Sequence, residues 1–304
     1  MIEVTHVRKS FGPITALDGV ALRIGRGERV AFVGSNGSGK TTLLRCLLGL
    51  IRFEGRITIA GVDVAREPEL ALRGVAYIPQ IAPPIEAPLS EVVRAFAGLR
   101  GLSVGAIEDR ARAFGLDPAA SRNKRFRDLS GGMKQKLLAA MAMATEAPVL
   151  VCDEPTANLD GEARAELFRQ LDARPGGSVV VLCSHRIEEV TQLVDRVVEL
   201  SDGRVHRDVP LETLLDALRA FRVEVALKGD AEPAVRFLEA RGFTRRQDGR
   251  FEARLSQEEK VSVVARILRE HERALADIVI APVDDVAAAL QARPQRPPQL
   301  RAVS

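Results

Sequence analysis

The sequence predicts an α/β chain. Its core is a phosphate-loop unit with a mixed or parallel sheet, an antiparallel β subdomain and a helical insertion, and a small α+β domain of ferredoxin-like order follows. Three observations carry this expectation. The apolar run Val30-Ala31-Phe32-Val33 feeds a glycine loop, Gly34-Ser35-Asn36-Gly37-Ser38-Gly39-Lys40-Thr41, which runs into the helical pattern Thr42–Gly49. Two further runs, Val149–Glu154 and Ser178–Cys183, are almost continuously apolar, as in strands covered on both faces of a parallel sheet. Beyond residue 220 the periodicity reads strand, helix, strand, strand, helix, strand, the split βαβ order of ferredoxin-like modules.

The loop spacing Gly-x-x-x-x-Gly-Lys-Thr is that of a phosphate-binding loop. Its glycines let the backbone wrap close enough for successive N–H groups to face one anion, and the following helix adds the positive end of its dipole. In this pattern Lys40 reaches the β- and γ-phosphates and Thr41 offers its hydroxyl to Mg²⁺. The spacing therefore predicts binding of a nucleoside triphosphate.

Composition excludes several classes. The chain has 304 residues, 28% charged and 46% hydrophobic, with a net charge of +3, so no chain-wide basic field argues for nucleic acid. No apolar run approaches the ~18–20 residues that span a bilayer; the longest, Leu137–Cys152, is broken by Glu146 and Pro148. The start, Met1-Ile2-Glu3-Val4, lacks a basic segment followed by an apolar one, which argues against secretion. Cys46, Cys152 and Cys183 lie in apolar segments without metal-ligand spacing, as expected of buried, reduced thiols in a cytosolic protein.

Taken in order, residues 2–7 and 19–24 read as strands ahead of Val30–Val33, separated by a Phe11-Gly12-Pro13 turn. Phe11 there is either a local packing residue or a platform for a purine ring. Strands follow at Arg56–Ala60 and Val75–Ile78, the second leading to Pro79-Gln80 and the proline-rich Ala82–Pro88 loop, which can continue neither helix nor sheet. Residues 81–147 form the helical insertion, with helices near 89–98, 106–114 and 132–146. The basic run Arg122–Arg127 reads as a solvated loop, with a nucleic-acid contact as the sharper alternative. Next to it, Leu129-Ser130-Gly131-Gly132 offers a helix start in which Ser130 is the N-cap and the glycines leave amides open to an anion. Val149–Glu154 places Asp153 and Glu154 at the ligand edge of a parallel sheet. Given the phosphate loop, these acids suit cation binding by Asp153 and proton abstraction from water by Glu154. Asn158-Leu159-Asp160 precedes a helix at 161–173, Ser184-His185 ends another buried strand, helix 186–194 follows, and strands 195–200 and 204–209 turn on Asp202-Gly203.

Residues 34–41, Gln80, Leu129-Ser130-Gly131-Gly132, Val149–Glu154, Asn158-Leu159-Asp160 and His185, in this order and spacing, resemble the ABC transporter ATP-binding subunits, a family of phosphate-loop ATPases. The resemblance covers residues 1–210. It implies binding and hydrolysis of ATP with Mg²⁺. By it, Phe11 matches the aromatic that stacks on adenine, and Gln80 matches the glutamine that senses Mg²⁺ and the γ-phosphate. Ser130, Gly131 and Gly132 match the signature that closes over ATP held by the opposite subunit. Glu154 matches the general base, Asp160 the cross-interface aspartate and His185 the switch histidine. Met133 stands where glutamine is common. Because loop and signature lie on opposite sides of a shared site, the resemblance implies a head-to-tail dimer, of two copies or with a related subunit. It also implies a membrane-spanning permease as partner and a position on the cytoplasmic face of the inner membrane, while the small net charge leads us to expect no nucleic-acid partner. A soluble ABC ATPase acting on ribosomes or DNA is the rival; it is disfavoured by the single cassette and by an insertion too short for a coiled coil.

After a connecting helix at 211–220, residues 221–291 form the second domain: strand Arg222–Leu227, helix Pro233–Ala240 stopped at Gly242, strands Phe243–Gln247 and Arg250–Leu255 around Asp248-Gly249, a capping box at Ser256–Glu259, strand Asp277–Ile280 and a helix from Val283 to Gln291. The helix after the capping box is expected to bury Val261, Val264, Ile267 and Leu268. Residues 292–304, rich in proline and arginine, read as a disordered tail. The extension resembles those of exporter-type ABC ATPases, which implies export. Its plain role is dimer contact or stability; binding a small regulator is the alternative.

Overall fold

The structure is a computed structural model that describes residues 1–184, 187–218, 221–229 and 231–282. His185, the helix expected at Val283–Gln291 and the 292–304 tail lie outside the described residues. In chain order the elements are β1 (Ile2–Phe11), β2 (Ile14–Ile24), β3 (Arg29–Val33), α1 (Lys40–Leu47), β4 (Glu54–Ile59), β5 (Val62–Asp63), α2 (Pro68–Leu72) and β6 (Val75–Ile78). Then come α3 (Leu89–Arg100), α4 (Val104–Ala113), α5 (Gly131–Ala144), β7 (Val149–Asp153), α6 (Gly161–Asp172), β8 (Val179–Cys183), α7 (Ile187–Leu193), β9 (Arg196–Ser201) and β10 (Arg204–Pro210). The last are α8 (Leu211–Leu218), β11 (Phe221–Leu227), α9 (Glu232–Glu239), β12 (Thr244–Arg245), β13 (Phe251–Leu255), α10 (Gln257–Glu270) and β14 (Leu275–Pro282). Two compact units divide the chain, Met1–Leu211 and Glu212–Ser304.

The first unit holds two sheets. One is antiparallel, in the order β2-β1-β4-β5; the other has six strands in the order β10-β9-β3-β8-β7-β6. Within the second, β9, β3, β8, β7 and β6 run parallel, with Val30 opposite Val181 and Ile78 opposite Cys152, and only β10 is antiparallel. Every residue of β7 and β8 is buried, which is why those runs contain no polar residue before Asp153. Parallel alignment brings the C-terminal ends of β3, β6, β7 and β8 to one edge of the sheet, so the glycine loop, Gln80, Glu154 and Ser184 all leave the sheet on the same side. The β9–β10 hairpin turns on Asp202 and Gly203 with φ of 49° and 72°, as a two-residue turn that needs positive φ at both positions.

The proline-rich loop continues neither helix nor sheet, as expected, and makes only an isolated bridge. Prolines remove N–H donors but leave C=O acceptors. Accordingly, the carbonyl of Ala87 accepts from the Phe126 N–H at 2.9 Å, that of Ile85 accepts from Arg127 at 3.0 Å, and Pro88 bridges Arg125. Arg127 and Arg125 also pair with Glu86 at 2.6 and 3.7 Å, so part of the basic run is neutralised within the chain.

In the second unit the sheet order β12-β13-β11-β14 is fully antiparallel, the arrangement of a ferredoxin-like fold. Val223, Val225, Leu238, Phe251, Leu255, Val263 and Ile267 fill its core. Two expectations are corrected. Strand β12 is only two residues long, because the Arg246 N–H bonds the Arg250 carbonyl and Gly249 turns back on Arg246. Helix α10 buries Val263 and Ile267, while Val261 is 57% and Leu268 46% exposed; the apolar positions of this helix cover more than one face, and the sheet takes the stripe three and four residues apart that includes Val263.

Candidate active site

The glycine loop is shaped by contacts that exclude side chains. Gly34 has φ of 143°, and a Cβ there would lie 2.2 Å from the Leu200 carbonyl oxygen. Gly39, at the N-cap of α1 with φ of 105°, would place a Cβ 2.6 Å from the Ala16 carbonyl. The Lys40 ammonium lies over the loop, donating to the Gly34 carbonyl at 2.7 Å and the Ser35 carbonyl at 2.9 Å, with the Ser38 hydroxyl at 3.5 Å. Three donors on a compact head suit this geometry.

A cleft of about 180 Å³ opens at the sheet edge. Asn36, Gly37 and Gly39 line it from the loop, and Lys40, Thr41 and Thr42 from the first turn of α1. Gln80 from the end of β6 and Asp153 and Glu154 from the end of β7 complete it. Asp153 is 3% exposed. Burial pushes its pKa up and the neighbouring Glu154 adds to that, while the charges of Arg45 and Lys40 and a hydrogen bond from Thr41 act in the opposite sense. Glu154 is in the left-handed region, φ 47°, and its backbone N–H donates to the Cys183 carbonyl at 2.9 Å. A non-glycine residue in that region costs on the order of 1–3 kcal/mol and persists only where its surroundings hold it.

The remaining expected site residues lie elsewhere. Phe11 is 48% exposed at the turn between β1 and β2, with the Lys9 ammonium 4.8 Å from its ring centroid. Ser130, Gly131 and Gly132 do not line the cleft. Ser130 caps α5, accepting from the Met133 N–H at 3.2 Å. Gly132 has a packing role that the sequence did not reveal: a Cβ there would lie 2.9 Å from the Asn158 carbonyl oxygen. Asp160 is engaged within the chain, capping α6 through the Ala163 N–H at 2.9 Å and pairing with Lys136 at 2.6 Å; the Lys136 hydrogen bond, then the Ala163 amide, lower its pKa. Sequence reasoning missed Gln135, Lys136 and Glu189, whose partners stand 20 or more residues away. Among the described residues no group of three or more His, Cys, Asp and Glu forms a metal cluster, and no helix is long and apolar enough to cross a membrane.

Comparison with known proteins agrees with this geometry. Residues 17–157 match the family described as ABC transporter. The chain is 35% identical to a daunorubicin resistance ATP-binding protein of Streptomyces coeruleorubidus, covering 88% of each chain. It is 31% identical to a Nod factor export ATP-binding protein I of Cupriavidus pinatubonensis, over 80% of this chain and 79% of that one. A solved ATP-binding subunit of an ABC transporter superposes with a TM-score of 0.64 at 30% identity, covering 70% of this chain and 91% of that one. A dimeric ATP-binding cassette bound to ADP and Pi in a post-hydrolysis state superposes with a TM-score of 0.61 at 25% identity, over 69% of this chain and 99% of that one. With kinship of this extent joined to the loop, the paired acids and the capped signature helix, the chain belongs to the ATP-binding subunits of ABC transporters, the ATPases that power membrane transport.

Proposed function

We propose that the chain drives an export permease as a head-to-tail dimer of identical subunits on the cytoplasmic face of the inner membrane. The names of the relatives, drug resistance and Nod factor export, support the direction. The observation that carries the dimer is the division of the site: one chain gathers the loop, Gln80, Asp153 and Glu154 around one cleft, while its signature at Ser130–Gly132 lies outside that lining.

In this reading the N–H groups of Gly34–Thr41, the Lys40 ammonium and Thr42 hold the phosphates of ATP. The Thr41 hydroxyl and the Asp153 carboxylate are hard oxygen donors joined by a hydrogen bond, a donor set that fits Mg²⁺. When bound, that cation would neutralise charge developing on the phosphate oxygens. Glu154 accepts the proton of the attacking water, and Gln80 orients that water and the cation site. Phe11 supplies a platform for adenine, consistent with its exposure. His185, two residues beyond the end of β8 in sequence, is assigned to the γ-phosphate. Ser130, Gly131 and Gly132 close over the partner's ATP, and Asp160 serves the interface by anchoring the turn that packs under them.

Replacing Glu154 with glutamine in the full chain keeps the shape and removes the base. Turnover is expected to fall at least about 100-fold, with ATP now trapping a stable dimer seen by light scattering. Turnover near the parent's, or a fully active species of monomer mass, would contradict the proposal.

A further inference from the structure

Gln135, in the first turns of α5, is 2% exposed. Its amide nitrogen donates to the Pro155 carbonyl at 3.1 Å and to the Pro79 carbonyl at 3.3 Å. Those acceptors are 20 and 56 residues away in sequence; one follows Glu154 and the other precedes Gln80. Two carbonyl acceptors fix the orientation of the carboxamide, since only its NH₂ end has donors to give. A buried amide is costly unless its N–H groups are used, and a leucine or methionine would fill the same volume at no such cost. Both acceptors belong to prolines, whose ring fixes φ; a bond to the carbonyl then restrains ψ, leaving neither residue a free torsion.

The segment after Glu154 is gripped on a second side. The Thr156 hydroxyl donates to the Glu189 carboxylate on α7, and both residues are 1% exposed. With the Glu154 N–H bonded to the Cys183 carbonyl, the left-handed conformation of Glu154 is enforced from both ends.

We infer that Gln135 is a positioning residue for ATP hydrolysis: its carboxamide sets the Gln80 and Glu154 loops at a fixed separation and ties both to the signature helix. The inference rests on the roles given above to Gln80 and Glu154. Gln135 touches no substrate; it acts by holding the two peptide segments that carry the groups that do. Because α5 begins at the signature, a shift of that helix moves the Gln80 and Glu154 loops with it.

The test compares Gln135→Met, which keeps volume but removes both donors, and Gln135→Glu, which sets a carboxylate against two carbonyl oxygens, with the parent and Glu154→Gln, all as full-length chains. The Gln135 variants are expected to lose about 10- to 100-fold in kcat, the cost of a misplaced catalytic group, with Kd for ATP within about threefold of the parent. The Mg²⁺ concentration giving half-maximal rate should rise several-fold, because the Gln80 loop is released. Should Gln135→Glu fail to fold, Gln135→Met alone decides. Unchanged kcat and Mg²⁺ dependence in Gln135→Met overturn the inference. Loss of ATP binding in step with loss of rate overturns it as well, by making Gln135 a packing residue. If Glu154→Gln itself turns over normally, the assignment of the base fails; if Glu154→Gln is inactive while Gln135→Met matches the parent, only the positioning role fails.

Discussion

The Asp153 carboxyl ends a buried strand, and its pKa is raised first by burial and then by Glu154. A carboxyl whose folded pKa lies above its unfolded value disfavours folding once ionised. Stability is therefore lost as pH rises from the unfolded value, 3.8, through the raised folded value. Asp153→Asn removes that penalty while keeping an oxygen that can accept from Thr41. Its Tm without nucleotide should exceed the parent's at pH 7, and the gap should close as pH approaches 4. A Tm below the parent's throughout would show that the charge is not what burdens this position. Such a penalty is the usual mark of a group kept for its ligand. At this scale the phosphate loop was legible because each requirement is local: Gly34, Gly39, Lys40 and Thr41 act within a few residues of one another. Gln135, Lys136 and Glu189 were not legible, since each acquires meaning from a partner that only the fold brings near.

Among elements, buried strands and capped helices were the most readable. β6, β7 and β8 announce themselves by unbroken apolar runs, and α5 and α10 by their serine caps. At α10 the capping box is complete: the Ser256 hydroxyl accepts from the Glu259 N–H at 3.2 Å, and Glu259 accepts from the Ser256 N–H at 2.8 Å. Ser256→Ala should cost about 1 kcal/mol, the usual worth of an N-cap, seen as an earlier urea midpoint for the second unit with ATP turnover unchanged. No shift would mean that packing alone holds the helix start. The buried face of α10 could not be read, because Val261, Val263, Val264, Ile267 and Leu268 allow two overlapping stripes and only the sheet selects one. The proline-rich loop was read correctly as neither helix nor sheet, but its backbone partners at Phe126 and Arg127 were not legible, because the sequence reveals missing donors, not where the surviving acceptors go.

For the whole molecule, the division at Leu211 separates two units with separate cores, the larger around Phe32, Leu43 and Val181 and the smaller around Val223, Phe251 and Ile267. A core of its own is what lets a unit fold alone. A chain ending at Leu211 should thus fold cooperatively and bind ATP with a Kd within about threefold of the full chain. Failure to fold would make the second unit part of the first one's stability rather than an appendage.

The hydrogen bonds of Lys40 to its own loop have a consequence for the phosphate-binding role proposed for it. Its ammonium donates to two carbonyls of the loop it serves, so engaging a phosphate means exchanging those partners, and the net attraction is smaller than that of an unpaired charge. The same carbonyls are waiting when the product departs. On the phosphate-binding role proposed for Lys40, an internal acceptor of this kind would keep a strong anion site from becoming a trap, since the same lysine has partners both with a nucleotide and without one.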